Sequence, residues 1–98
     1  MIKNLNNKSF DEALSGSVIV DFYAEWCSPC RSMTRVLEDF DRAHPEMLIA
    51  KVNIDESPEL AERYGVRSVP TIALLREGDV EKMNVGVMTM RALEEAVL

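Results

Sequence analysis

Two periods of apolar residues alternate along this chain. In "VIVDFYAEW", Val18 to Trp26, and "MLIAKVNID", Met47 to Asp55, apolar positions run almost without interruption. That is the pattern of strands buried on both faces. Between them, Met33, Val36, Leu37 and Phe40 recur at i, i+3, i+4 and i+7, so one side of a helix opening at Pro29 is apolar. His44-Pro45 ends that helix.

The flanking segments read in the same way. Met1 to Leu5 is a short edge strand. "SFDEALSGS" is a helix, with Ser9 and Glu12 as a capping box, Phe10, Ala13 and Leu14 on one face, and Gly16 closing it. "SPELAERYG" is a short helix with Ser57 as N-cap, Pro58 in its first position and Gly65 after its end. "TIALLRE" and "EKMNVGV" are strands joined around Glu77-Gly78-Asp79, a hairpin signal. "TMRALEEAVL" is a closing helix with Met90, Leu93 and Val97 as its apolar stripe. The order is β-α-β-α-β-α-β-β-α. Its alternating first part demands parallel crossovers with helices on both faces of one sheet, an α/β architecture.

Composition narrows this further. The 98 residues form one domain, 1–98, with 47% hydrophobic and 29% charged residues, enough for a core without staples. The net charge of −6 argues against nucleic acid or an anionic membrane as the main partner. No run approaches the ~18 apolar residues of a membrane span. The opening "MIKNLNNKSF" lacks the apolar centre of a signal peptide, so a cytoplasmic location is expected.

The two cysteines then carry the chemistry. Cys27 and Cys30 flank Ser28-Pro29 where a buried strand gives way to a helix. A structural bridge, half of a metal site and a redox pair compete. A reducing compartment disfavours the bridge, and so short a loop constrains the unfolded chain little. Zinc takes about four ligands, whereas the chain offers one histidine, His44, and no second cysteine pair. No metal and no cofactor is therefore expected, and His44 reads as a solvent-side residue near a helix C-terminus. A thiolate at a helix N-terminus faces free backbone N–H groups and the positive end of the macrodipole, which lower its pKa. Cys27 is expected to be the exposed attacker and Cys30 the shielded resolver. Pro29 has no N–H to lose in a first turn, and its fixed φ helps to start the helix.

Other residues stand out against this frame. Asp21 interrupts an apolar strand, where burial raises a carboxylate's pKa. Val69-Pro70 precedes a strand and predicts a turn or a cis bond. Trp26, the only tryptophan, precedes Cys27 and reads as a cover that contacts partners. Gly86 reads as a place where a partner backbone can come close.

The blocks "VDFYAEWCSPCRSM", "AKVNID", "YGVRSVPTIALLREGD" and "NVG", in this order and spacing, resemble the thioredoxin family across nearly the whole chain. The resemblance implies a thioredoxin fold, a three-layer α/β/α arrangement with a central five-stranded mixed sheet flanked by four helices. It implies a thiol-disulfide oxidoreductase whose redox-active disulfide is Cys27-Cys30. Protein disulfides would be its substrates, thioredoxin reductase its recharging partner, and the monomer its working form. It places Asp21 beneath the cysteine pair, moving a proton to or from Cys30, with Lys51 tuning it. It makes Val69-Pro70 a cis peptide facing the cysteines, with the Val69 backbone pairing with an extended substrate. Trp26, Ser28, Pro29, Val69, Pro70 and Gly86 form the substrate-binding set.

Three positions depart from the family pattern. Ser28-Pro29 replaces the common Gly-Pro dipeptide. Arg35 replaces a mid-helix proline, so the helix should be straighter. Ser68 stands two before Pro70, where Gly or Ala is common. No histidine lies between the cysteines, which favours a reductant over an oxidant. The alternative is a thioredoxin-like binding module or subunit whose redox pair serves one partner or is idle.

Overall fold

In the computed structural model, which describes residues 1–98, nine elements follow one another. They are β1 (Ile2–Asn4), α1 (Phe10–Ala13), β2 (Ser17–Tyr23), α2 (Ser28–Ala43), β3 (Leu48–Asn53), α3 (Pro58–Arg63), β4 (Thr71–Arg76), β5 (Asp79–Val85) and α4 (Met90–Val97). The order is the one the apolar pattern predicts.

The strands form one sheet in the order β1-β3-β2-β4-β5. β3 runs parallel to both β1 and β2, while β4 runs antiparallel to β2 and β5. The architecture is the expected mixed sheet with four helices.

Strand alternation sorts the core into two layers. Val18, Val20, Phe22, Ala50, Val52, Ala73 and Leu75 face α1 and α3, packing on Phe10 and Leu60. Ile19, Ile49, Ile72 and Leu74 face α2 and α4, packing on Met33, Leu37, Phe40 and Leu93. The parity matters for function. Asp21 follows Ile19 by two residues, so its carboxyl points to the α2 side of β2. Lys51, its register partner on β3, shares that side.

Local signals were met with differences. α1 is a single turn, and Ser9 makes no side-chain cap. The Asn6 side chain instead accepts the Lys8 and Ser9 amides, while the Ser9 hydroxyl accepts the Asn6 amide. Ser57 is buried at the N-cap of α3 without a side-chain cap bond. β3 stops at Asn53 because the Asn53 Oδ1 accepts the amides of Asp55 and Glu56, turning the chain away. Glu77 and Gly78, both at positive φ, make a two-residue hairpin turn, so β5 starts at Asp79, earlier than its apolar run suggests. α2 runs unbroken through Arg35. His44 is not solvent-side: it is half-buried, stacks on Phe40, and its Nε2 lies 2.7 Å from Glu94, tying α2 to α4.

Candidate active site

The site lies where β2 ends and α2 begins. β2 stops at Tyr23, and the Ala24 carbonyl accepts the Cys27 amide in a turn that lifts Trp26 to the surface. Cys27 is the N-cap residue of α2, and its Sγ accepts the Cys30 backbone N–H at 3.2 Å. A sulfur there sits on free amides and at the positive end of a 16-residue helix with no acidic residue in its first turn. Ser28 and Pro29 are the exposed first two residues of α2, where the missing proline N–H removes no helical bond.

Cys27 and Cys30 are joined in a disulfide, with Cα atoms 5.3 Å apart. The expected difference in exposure is absent in this form: Cys27 is 3% exposed and Cys30 2%. Ala24 joins the pair in a small cluster, with Tyr23, Ile54 and Val69 packed against it.

Beneath the helix, Asp21 is fully buried and neither carboxylate oxygen has a hydrogen-bond partner. Burial raises its pKa from 3.8 to about 6, and the Lys51 charge works in the opposite direction. The Lys51 Nζ stands 4.0 Å from the Asp21 Oδ2. The Lys51 ammonium points inward, with its side chain 15% exposed. It donates to the Thr34 Oγ1 at 2.8 Å and lies 4.6 Å from the Tyr23 ring centre. Thr34 in turn donates to the Cys30 carbonyl at 3.0 Å. A cavity of about 210 Å³ borders Cys30, Thr34, Lys51 and Tyr23. Lys51, Thr34 and Cys30 are thus joined by hydrogen bonds, and the unpartnered Asp21 carboxylate lies 4.0 Å from the Lys51 end of that chain.

The remaining sequence-predicted residues gather on the rim. Trp26 is 69% exposed, and its indole N–H donates to Asp55 Oδ2 at 2.9 Å. It is not a core tryptophan. Val69-Pro70 is a cis peptide, and no hydrogen bond engages the Val69 amide or carbonyl. The Gly86 amide donates to the Pro70 carbonyl at 2.8 Å. Gly86 has φ +100°, and a Cβ there would meet nothing within 4 Å. Its backbone conformation alone accounts for a glycine within this chain.

Thr34 and Asp55 were not singled out from sequence. Thr34 had a signal: it lies four residues after Cys30, on the same helical face. Asp55 had none, because its contact with Trp26 depends on the turn that Asn53 builds.

The thioredoxin family model matches residues 1–98. This chain belongs to the thioredoxin family. It is 40% identical to the thioredoxin of Rickettsia bellii, over 97% of this chain and 94% of that one. It is 40% identical to the thioredoxin of Bacillus subtilis, over 98% and 94% of the two chains. Among solved structures it is similar to a mutant thioredoxin from Halobacterium salinarum NRC-1, with a TM-score of 0.90, 31% identity, and coverage of 98% and 87%. The fold is the thioredoxin fold, and the activity is thiol-disulfide exchange on protein disulfides through the Cys27-Cys30 pair. Thioredoxin chemistry needs no cofactor beyond these cysteines. No three His, Cys, Asp or Glu side chains converge as a metal site, and no helix is long and apolar enough to cross a membrane.

Proposed function

We propose that this protein works as a reductant, with Cys27 as nucleophile and Cys30 as resolving thiol. The Cys27 thiolate attacks a substrate disulfide. A Cys27–substrate disulfide forms and one substrate thiolate leaves. Cys30 loses its proton and attacks the Cys27 sulfur. The second substrate thiolate leaves, and the Cys27-Cys30 disulfide closes. Two electrons pass from the dithiol to the substrate.

The observation that carries this reading is the Cys27 sulfur capping α2 on the Cys30 amide. An N-cap sulfur is the one whose thiolate the helix stabilises. Asp21 is the proton acceptor for Cys30: its pKa of about 6 lies near working pH, as a general base requires. Solvent in the cavity beside Cys30 and Lys51 carries the proton, and Lys51 tunes the carboxylate.

Substrate docks on Trp26, Ser28, Pro29, Val69, Pro70 and Gly86. The unengaged amide and carbonyl of Val69, packed against the cysteine cluster, offer main-chain pairing to an extended segment. The protein acts as a monomer of one domain, 1–98. Thioredoxin reductase returns its disulfide to the dithiol. Such a cycle operates where thiols are kept reduced, in the cytoplasm.

Cys30→Ser should accumulate mixed disulfides through Cys27, and Cys27→Ser should lose disulfide reduction altogether. Turnover retained in the Cys27 variant overturns the assignment.

A further inference from the structure

Thr34 stands between the cysteine pair and the buried ion pair. A hydroxyl has one hydrogen to donate. Thr34 spends it on the Cys30 carbonyl, at 3.0 Å, so its oxygen turns a lone pair to the Lys51 ammonium, which donates to it at 2.8 Å. The bond therefore has a direction, and it holds Lys51 on the α2 side. Meanwhile the Asp21 Oδ2, with no donor of its own, waits 4.0 Å from the same ammonium. The Lys51 side chain is only 15% exposed, so the competition takes place largely out of solvent. An ammonium that could satisfy a buried, unpartnered carboxylate is held instead by a neutral hydroxyl.

We propose that Thr34 is a positioning residue for the exchange reaction, holding the Lys51 ammonium away from Asp21 and tying it to the first turn of α2 through the Cys30 carbonyl. This rests on Asp21 serving Cys30. A carboxylate in contact with an ammonium is a poor base, and one left apart in an apolar site keeps its affinity for a proton. Thr34 keeps the pair apart, which leaves Asp21 basic enough to take the Cys30 proton.

The other groups around Asp21 leave Lys51 as the one lever. β4 presents Ile72 in register, and β2 presents the Tyr23 phenol. From α2 come Thr34 and Cys30. Cys30 titrates only when the disulfide is open, so the oxidised protein isolates Asp21.

The test is the Asp21 titration midpoint, read by carboxyl-carbon NMR on the oxidised full chain. The variants are Thr34→Val, Thr34→Ala and Thr34→Ser. In Val and Ala the ammonium closes on Asp21, and the midpoint falls by about one pH unit, the scale on which an adjacent opposite charge moves a carboxylate. Ser keeps the hydroxyl and restores the wild-type midpoint. In a Lys51→Met background, Thr34→Val leaves the midpoint where Lys51→Met alone puts it.

An unchanged or raised midpoint in both Thr34→Val and Thr34→Ala overturns the proposal. So does a lowered midpoint that Ser fails to restore, or one that persists without Lys51. If Thr34→Val does not fold, the Ala and Ser variants decide. The NMR readout involves no catalysis, so it stands apart from the role of Asp21. That role fails separately if Asp21→Asn leaves the resolving rate of Cys30 unchanged.

Discussion

The Asp21 carboxylate and the Lys51 ammonium are register partners on adjacent strands, 4.0 Å apart, with no hydrogen bond between them. Nearly every other polar group in the core has a partner. This one is left poised, with burial raising the Asp21 pKa to about 6 and Lys51 opposing the rise. The strand pairing holds the two backbones in register, and Thr34 decides where the lysine's end goes.

The poise destabilises the fold at neutral pH. The folded pKa of Asp21, about 6, lies above the 3.8 of a free aspartate, so the native state binds the proton more tightly. Its contribution to stability is full below the unfolded value and is lost as pH rises through about 6. A shift of this size corresponds to about 3 kcal/mol. Asp21→Asn should therefore gain stability relative to wild type between pH 4 and pH 8, by about 2 kcal/mol, because at pH 4 the unfolded aspartate is already partly ionised. Urea unfolding of the oxidised proteins at the two pH values measures it. An identical difference at both contradicts the raised pKa.

Lys51→Met should move the Asp21 midpoint upward, because it removes the one charge that lowers it. The pH profile of Cys30-dependent resolution should shift upward with it. A profile that stays in place would mean that Asp21 does not set the rate.

Trp26 is exposed beside Cys27 and braced by Asp55. The role we propose for it on the rim is contact with partners. Trp26→Ala should raise KM for a protein disulfide by about tenfold, ~1.4 kcal/mol, while a small aromatic disulfide is reduced at nearly the wild-type rate. Equal loss on both substrates would assign Trp26 to the chemistry instead.

Gly86 tests conformation against crowding. Its φ of +100° disfavours any side chain, yet a Cβ would meet no atom of this chain. Gly86→Ala should destabilise the fold by about 1–2 kcal/mol in urea unfolding. A neutral result would show that the last turn relaxes freely and that the glycine serves partner approach alone.

Much of this was legible in the residues. The alternation of unbroken apolar runs with helical periods predicts the element order, because each period reports which faces are buried. Asp21 is visible as a lone carboxylate in an apolar strand, and Cys27 and Cys30 by their place at a strand-to-helix junction. The features that were not legible are contacts between residues far apart in sequence. His44 meets Glu94 across the α2–α4 interface. Lys51 turns inward because Thr34, on another element, accepts from it. Ser9 does not cap α1, because its hydroxyl accepts the Asn6 amide instead of an amide of the helix. The cluster around Cys27 and Cys30 takes in Ile54 and Val69, which come from two other loops. Local pattern says what a residue can do; its neighbour across the fold decides which option is taken.

The direction of electron flow is the most direct test of the account. No histidine lies between Cys27 and Cys30 to stabilise the thiolate further, so the dithiol should remain a good donor. Equilibration with glutathione buffers, followed by the lone tryptophan's fluorescence, gives the potential. A reductant of this kind should have a potential of about −270 mV, as thioredoxin does. A value near the about −120 mV of a strong oxidant would contradict it.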